Sequence, residues 1–312
     1  MTTQIAPMRK TSTMHASAPL RLFAAVILCA GIHIAHAEDA DLNPSAALLA
    51  KYGAAQDRLN HNPFHGPLYL DSSETSDGVS GDIYARVDYP FATVSAALNN
   101  PGNWCEILIL HLNTKYCRAS HADTGSVLNV SIGKKTDQPL DDAYRVAFTY
   151  QEDAQAPDYL HIRLNAAKGP LSTKNYRIAL EAIPLKNGQT FIHLAYSYGY
   201  GLLGRLAMQA YLGTLGKGKV GFTVTGTQAN GQQRYIGGMR GVVERNTMRY
   251  YLAIDAFLNA LSAAPQAQPE KRLRDWFAAS ERYSLQLHEM DQAAYLDMKH
   301  HEVRRQQTVG VD

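Results

Sequence analysis

The residues of this 312-residue chain that could do chemistry are few and scattered. Glu181 and His193 fall on successive extended segments and could form an acid-base pair if their strands lie side by side. The plainer reading is an exposed cross-strand pair. His111, His121 and His161 stand singly, and the chain holds no HExxH, GxSxG or paired-Cys signature. No catalytic residue, cofactor or metal site is therefore expected. His300-His301-Glu302 lies in a charged terminal segment and reads as surface. Gly216-Lys217-Gly218-Lys219-Val220-Gly221 lacks the GxxxxGK[ST] spacing of a phosphate loop and reads as a basic turn, with contact to anionic lipid head groups as a lesser reading.

Side chains suited to holding an apolar ligand are easier to find. Tyr196, Tyr198 and Tyr200 recur at period two, each offering a ring and one hydroxyl. Met239 to Leu261 places Val243, Tyr250, Ile254, Phe257, Leu258 and Leu261 on one side of a long helix. Asn246 and Thr247 lie between Val243 and Tyr250 and could meet a ligand's polar end. Candidate ligand residues are therefore Tyr196, Tyr198, Val243, Asn246, Thr247, Tyr250 and Ile254. Glu244, Arg245 and Arg249 fall mostly outside the apolar stripe, where a solvated or ion-paired face is the plain expectation.

These residues need a sheet and a helix to position them, and the spacing of apolar residues supplies both. A helical stretch covers about Ser45 to Asn60. Ile83, Ala85 and Val87 alternate with polar neighbours up to Pro90, after which Phe91, Val94, Ala97 and Leu98 take helical spacing. Trp104 to Leu110 begins a second short helix or a buried strand. From Lys115 to Tyr198 six extended runs follow with turn signals between them, and Asn187-Gly188 marks a tight hairpin joining the last two. A sheet with one apolar face must cover it, and the long helix is the natural cover.

In this order of elements, with the strand-to-helix passage Asp88-Tyr89-Pro90-Phe91-Ala92-Thr93-Val94 and Trp104 as its most suggestive residues, the chain resembles the helix-grip fold of the START and polyketide-cyclase-like superfamily. The resemblance covers roughly Gly81 to Leu261 and rests on element order alone. It implies an α+β fold in which a curved antiparallel sheet of about six to seven strands grips a long C-terminal helix. It also implies a hydrophobic small molecule or lipid held between them. Taking about 400 Å² of apolar ligand surface out of water at about 25 cal/mol per Å² would supply about 10 kcal/mol before association costs. A cyclase or hydrolase using the same cavity is the alternative, and a third reading has the charged terminal helix, 270–307, docking a protein partner.

Compartment and organisation follow from composition. Leu22 to Ile34 is an uncharged run, preceded by Arg9, Lys10 and Arg21 and followed by Ala35-His36-Ala37, the pattern of a signal peptide cleaved after Ala37. The expected destination is the periplasm or the exterior. Those 37 residues hold three of the 30 basic residues and none of the 28 acidic ones, so the remainder balances 27 against 28. A near-neutral chain gives no electrostatic case for nucleic acid. Transient membrane contact stays open. In an oxidising compartment Cys105 and Cys117 are expected to form a disulfide. The expected organisation is a signal peptide (1–37), an N-terminal helical and extended segment (38–80), the ligand-binding domain (81–261), and a linker with one charged helix (262–312). Residues 199–238 make a Gly- and Tyr-rich connection of open structure.

Overall fold

The computed structural model describes residues 43–64, 66–122, 125–214 and 216–308. Two short helices, α1 (Pro44–Ala54) and α2 (Gln56–Asn60), lead into strands β1 (Leu68–Glu74) and β2 (Gly78–Val87). Helices α3 (Phe91–Leu98) and α4 (Pro101–Leu108) follow, then β3 (Thr114–Ala122), β4 (Gly125–Ile132), β5 (Tyr144–Ala156), β6 (Tyr159–Lys168), β7 (Thr173–Pro184) and β8 (Thr190–Tyr200). Helix α5 (Leu202–Gly213) and a hairpin of β9 (Val224–Thr227) and β10 (Gln233–Tyr235) fill the connection to the long helix α6 (Gly238–Ala260). Three more helices follow among the described residues: α7 (Gln268–Glu281), α8 (Ser284–Leu287) and α9 (Gln292–Thr308).

Local chemistry explains most boundaries. Asn43 and Asn100 cap α1 and α4 by accepting from Ser45 and Gly102 N–H, with Pro44 and Pro101 at the first helical positions. Gly188 turns β7 into β8 at φ 79°, a conformation that suits glycine. The eight strands pair antiparallel throughout in the order β1-β2-β8-β7-β6-β5-β4-β3. The strand beyond the expected six to seven is β1. Its alternation is blunted because Leu68, Tyr69 and Leu70 are all buried, on both faces of the sheet. Trp104 lies on a helix, where its indole N–H donates to the Leu98 carbonyl.

Along β2, and along β8 from Ile192, every second residue is buried, and this face meets α6. Gly81 marks the crossing: a Cβ there would collide with Thr247 Oγ1 and lie 3.3 Å from Thr247 Cβ. The main core fills this inner face, while a smaller cluster that includes Leu48, Leu59, Tyr159 and Phe191 joins α1 and α2 to the opposite face. Cys105 on α4 and Cys117 on β3 form the expected disulfide, with Cα atoms 5.1 Å apart.

The polar side of α6 departs from expectation. Glu244, Arg245 and Arg249 are buried: residues 220–223 and β1 meet Glu244 and Arg245, while α7, α8 and Glu289 cover Arg249. Glu244 accepts from Ser72 Oγ, Thr223 Oγ1 and the N–H groups of Phe222 and Thr223, tying the β9–β10 insertion to the helix. The charged terminal helix likewise turns charge inward. Lys115 and Lys299 share the Glu302 carboxylate at 2.8 and 2.6 Å, all three side chains fully buried. Lys299 also donates to the His111 and Thr114 carbonyls, so α9 is fastened to the start of β3.

Candidate functional site

The sheet's inner face carries an aromatic wall opposite the middle of α6. Tyr196 and Tyr198 project from β8 and Tyr176 from β7, with Tyr176 stacked on Tyr198 at 5.2 Å between centroids. Tyr250 of α6 meets Tyr196 edge-on at 5.1 Å and stacks against His111 at the same distance. Burial raises the pKa of all four tyrosines, so each remains a neutral ring with a hydroxyl.

Between Gly241 and Leu258 every residue of α6 is buried except Asn246, Tyr250 and Asp255, which are partly buried. Asp255 faces α7, in a cleft of about 230 Å³ shared with Asn259, Asp275 and Arg282. Asn246 and Tyr250 are one helical turn apart, and Tyr250 faces the tyrosine wall. Tyr176, on the sheet beside Tyr196, is also only partly buried. Among the proposed ligand residues the structure therefore brings together Tyr196, Tyr198, Asn246 and Tyr250. Val243 and Thr247 pack at the Gly81 crossing, where the Thr247 hydroxyl donates to the Val243 carbonyl at 2.8 Å. Ile254 is core. A second open cleft, about 330 Å³, lies between the β1–β2 turn and Lys174, Asn175 and Ser197 near the sheet's end.

Polar groups converge at one end of this wall. His111 is buried, and its Nδ1 accepts the Asn113 backbone N–H, which assigns the proton to Nε2. Asn246 stands beside the ring, but Nε2 has no partner in hydrogen-bond geometry. Desolvation and the nearby cations Arg249, Lys299 and Lys135 hold the His111 pKa well below its usual value, so the ring is neutral. Arg249 pairs with Glu289 at 2.9 Å, and Lys135 and Lys219 reach the same carboxylate at 2.5 and 3.4 Å. Desolvation and Arg249 bring Lys135 down to about 8 against the pull of Glu289. Tyr176 could have been found by extending the inward alternation of β7 by one step. His111, Lys135 and Glu289 carry no signal in their own segments, because the fold alone brings them to α6.

Glu181 and His193 do face each other, on the opposite face of the sheet. His193 Nδ1 meets Glu181 Oε2 and Nε2 meets Asp82 Oδ1, both at 2.9 Å, under the stacked Tyr84 ring. Tyr159 donates to the other Glu181 oxygen at 2.5 Å. Desolvation opposes the charge on His193, but the two carboxylates outweigh it and raise the pKa. With both nitrogens donating, the imidazolium has no lone pair to accept a proton, and the cluster clamps three neighbouring strands.

Strands β2 to β8, with two helices after the first strand and a long helix after the last, run in helix-grip order. The fold is an α+β helix grip. No protein-family model matches the sequence, and comparison with curated proteins finds no match. Solved structures show a distant likeness. A norcoclaurine synthase point mutant from Thalictrum flavum, in complex with a transition-state analogue, is 12% identical over 46% of this chain and 91% of its own, with TM-score 0.33. A START superfamily protein from Mycobacterium smegmatis is 12% identical over 45% and 92%, with TM-score 0.30. Human StAR-related lipid transfer protein 5 is 12% identical over 55% and 91%, also with TM-score 0.30. In this chain β1, α5, the β9–β10 hairpin and α7 to α9 stand outside the helix-grip order.

Proposed function

We propose that this chain is an exported protein that binds a hydrophobic small molecule or lipid between the sheet and α6. The observation that carries the reading is that Asn246 and Tyr250 are only partly buried on an otherwise buried helix, with Tyr250 against Tyr196 of the wall and Tyr176 likewise partly buried. Apolar rings along the wall would take the ligand's hydrocarbon part by area burial. At the wall's end, Asn246, the His111 Nε2–H and the Arg249–Glu289 pair would orient a polar head. Tyr196, Tyr198 and Tyr250 form the contact surface, with Val243, Thr247 and Ile254 setting the helix's distance from the sheet. Export is supported by the signal-like pattern of residues 1–37, which lie outside the described residues, and by the Cys105–Cys117 disulfide. A hydrolase or cyclase reading gains nothing from the Glu181–His193 pair, whose histidine has no free nitrogen.

Native mass spectrometry and organic extraction of the chain purified from the exported fraction test this. The expected result is a co-purifying apolar molecule at about one per chain. A chain that is ligand-free and takes up no lipophilic probe while remaining folded would refute it.

A further inference from the structure

Helix α5 presents leucines to solvent. Its inner side, Gly204 and Met208, is buried, whereas Leu202, Leu203 and Leu206 are 74%, 70% and 53% exposed. A fourth leucine joins them from the turn between β6 and β7. Leu171 is 54% exposed and held at φ 55°, a backbone region that leucine rarely adopts. The two pieces touch: a Cβ on Gly204 would lie 3.0 Å from the Ser172 carbonyl oxygen and 3.4 Å from that of Leu171. Single exposed leucines are ordinary, but four on two adjoining elements make a patch.

Charge around the patch has one dominant sign. The β6–β7 turn reads Lys168-Gly169-Pro170-Leu171-Ser172-Thr173-Lys174, with both lysines exposed and paired across the strands. Arg205, also exposed, extends over the Tyr200 ring and donates to the Ser76 carbonyl. Helix α5 itself, 202–213, contains no Asp or Glu. Two carboxylates, Glu74 and Asp77, come to this corner from the β1–β2 turn.

We propose that α5 and the Leu171 turn form a docking face for an anionic bilayer surface, with the leucines entering the acyl boundary and Lys168, Lys174 and Arg205 at head-group level. An apolar patch rimmed by cations matches such a surface in both polarity and charge, whereas a protein partner would need carboxylates set among apolar groups. At 12 residues the helix is far too short to span a bilayer, so it lies along the surface. Docking would bring the β7 and β8 ends of the tyrosine wall close to the membrane. In this the inference rests on the lipid-binding reading for its purpose, though not for its geometry.

Sedimentation of the full chain with phosphatidylcholine vesicles, with and without phosphatidylglycerol, tests it. Binding is expected to the anionic vesicles and to weaken with salt. In L203E/L206E partitioning should fall at least about tenfold, the minimum for withdrawing two leucines from the acyl boundary. L203S/L206S serves as the second variant should the glutamates disturb folding, and K168E/K174E should lose the preference for anionic lipid. Equal binding by wild type and both leucine variants would overturn the proposal. So would absence of vesicle binding by wild type, including the case where light scattering shows self-association that L203E/L206E abolishes. Uptake of a lipophilic fluorescent probe by the same variants separates the two readings: docking can fail while probe uptake persists, and the reverse would sink only the ligand site.

Discussion

Replacing Glu302 by glutamine should cost the fold more than any substitution on the protein's surface. The wild-type carboxylate serves two ammonium groups at 2.8 and 2.6 Å, none of the three side chains having measurable exposure. Neutralising it leaves two buried cations with carbonyl oxygens, Met298 sulfur and an amide as their neighbours. Breaking a buried pair in this way typically costs about 3–5 kcal/mol. Even with Glu302 present, desolvation brings Lys299 down from 10.5 to about 8, which corresponds to about 3 kcal/mol held against its charged form. Because the folded pKa lies below the unfolded one, Lys299 lowers stability at neutral pH. Wild-type stability should therefore rise as pH climbs from about 8 towards 10.5. Urea unfolding of wild type and E302Q at pH 7 and pH 9.5, disulfide intact, measures both effects. At pH 7 the loss should be about 3–5 kcal/mol, and it should shrink at pH 9.5, where a neutral Lys299 needs no counter-charge. A loss below about 1 kcal/mol at pH 7 would refute the docking of α9 through this triad.

Three further expectations concern the frame around the site. G81A should destabilise by about 1–3 kcal/mol through overlap with Thr247, and T247A in the same chain should recover part of the loss; equal melting of G81A and wild type would contradict the β2–α6 crossing. Replacing Cys105 and Cys117 by serine should cost about 3 kcal/mol by freeing a short loop, and the native protein should resist thiol labelling at both positions. His193 should titrate above 6.5 by NMR, so its contribution to stability is complete below 6.5 and is lost as pH rises through the raised value; a value below 6.5 would contradict the double carboxylate contact.

Much of this architecture is legible in the chain because period-two and period-3.6 patterns report single faces. The alternation at Ile83, Ala85 and Val87, the Asn187-Gly188 turn and the stripe from Val243 to Leu261 are local facts, and each element stands where its pattern puts it. What the patterns miss is non-local. Strand β1 is buried on both faces at its start, so its alternation disappears. Arg245 and Arg249 suggest a solvated ridge until Val220 meets the first and residues 276–289 cover the second, and Lys299 with Glu302 look like surface until Lys115 reaches Glu302 from 187 residues away. The site divides in the same way. Tyr196, Tyr198 and Tyr250 lie on legible faces, whereas His111 and Glu289 come to Asn246 and Arg249 only through the packing of α4, α8 and α9.

The central claim is that ligand-accessible space lies between α6 and the tyrosine wall, and filling that space tests it most directly. Titration of a fluorescent fatty acid into wild type and N246W, with melting curves for both, reads the result. Saturable uptake of about one probe per chain by wild type, abolished in a folded N246W, is the expected outcome. Undiminished uptake by N246W would place the probe elsewhere and contradict the account.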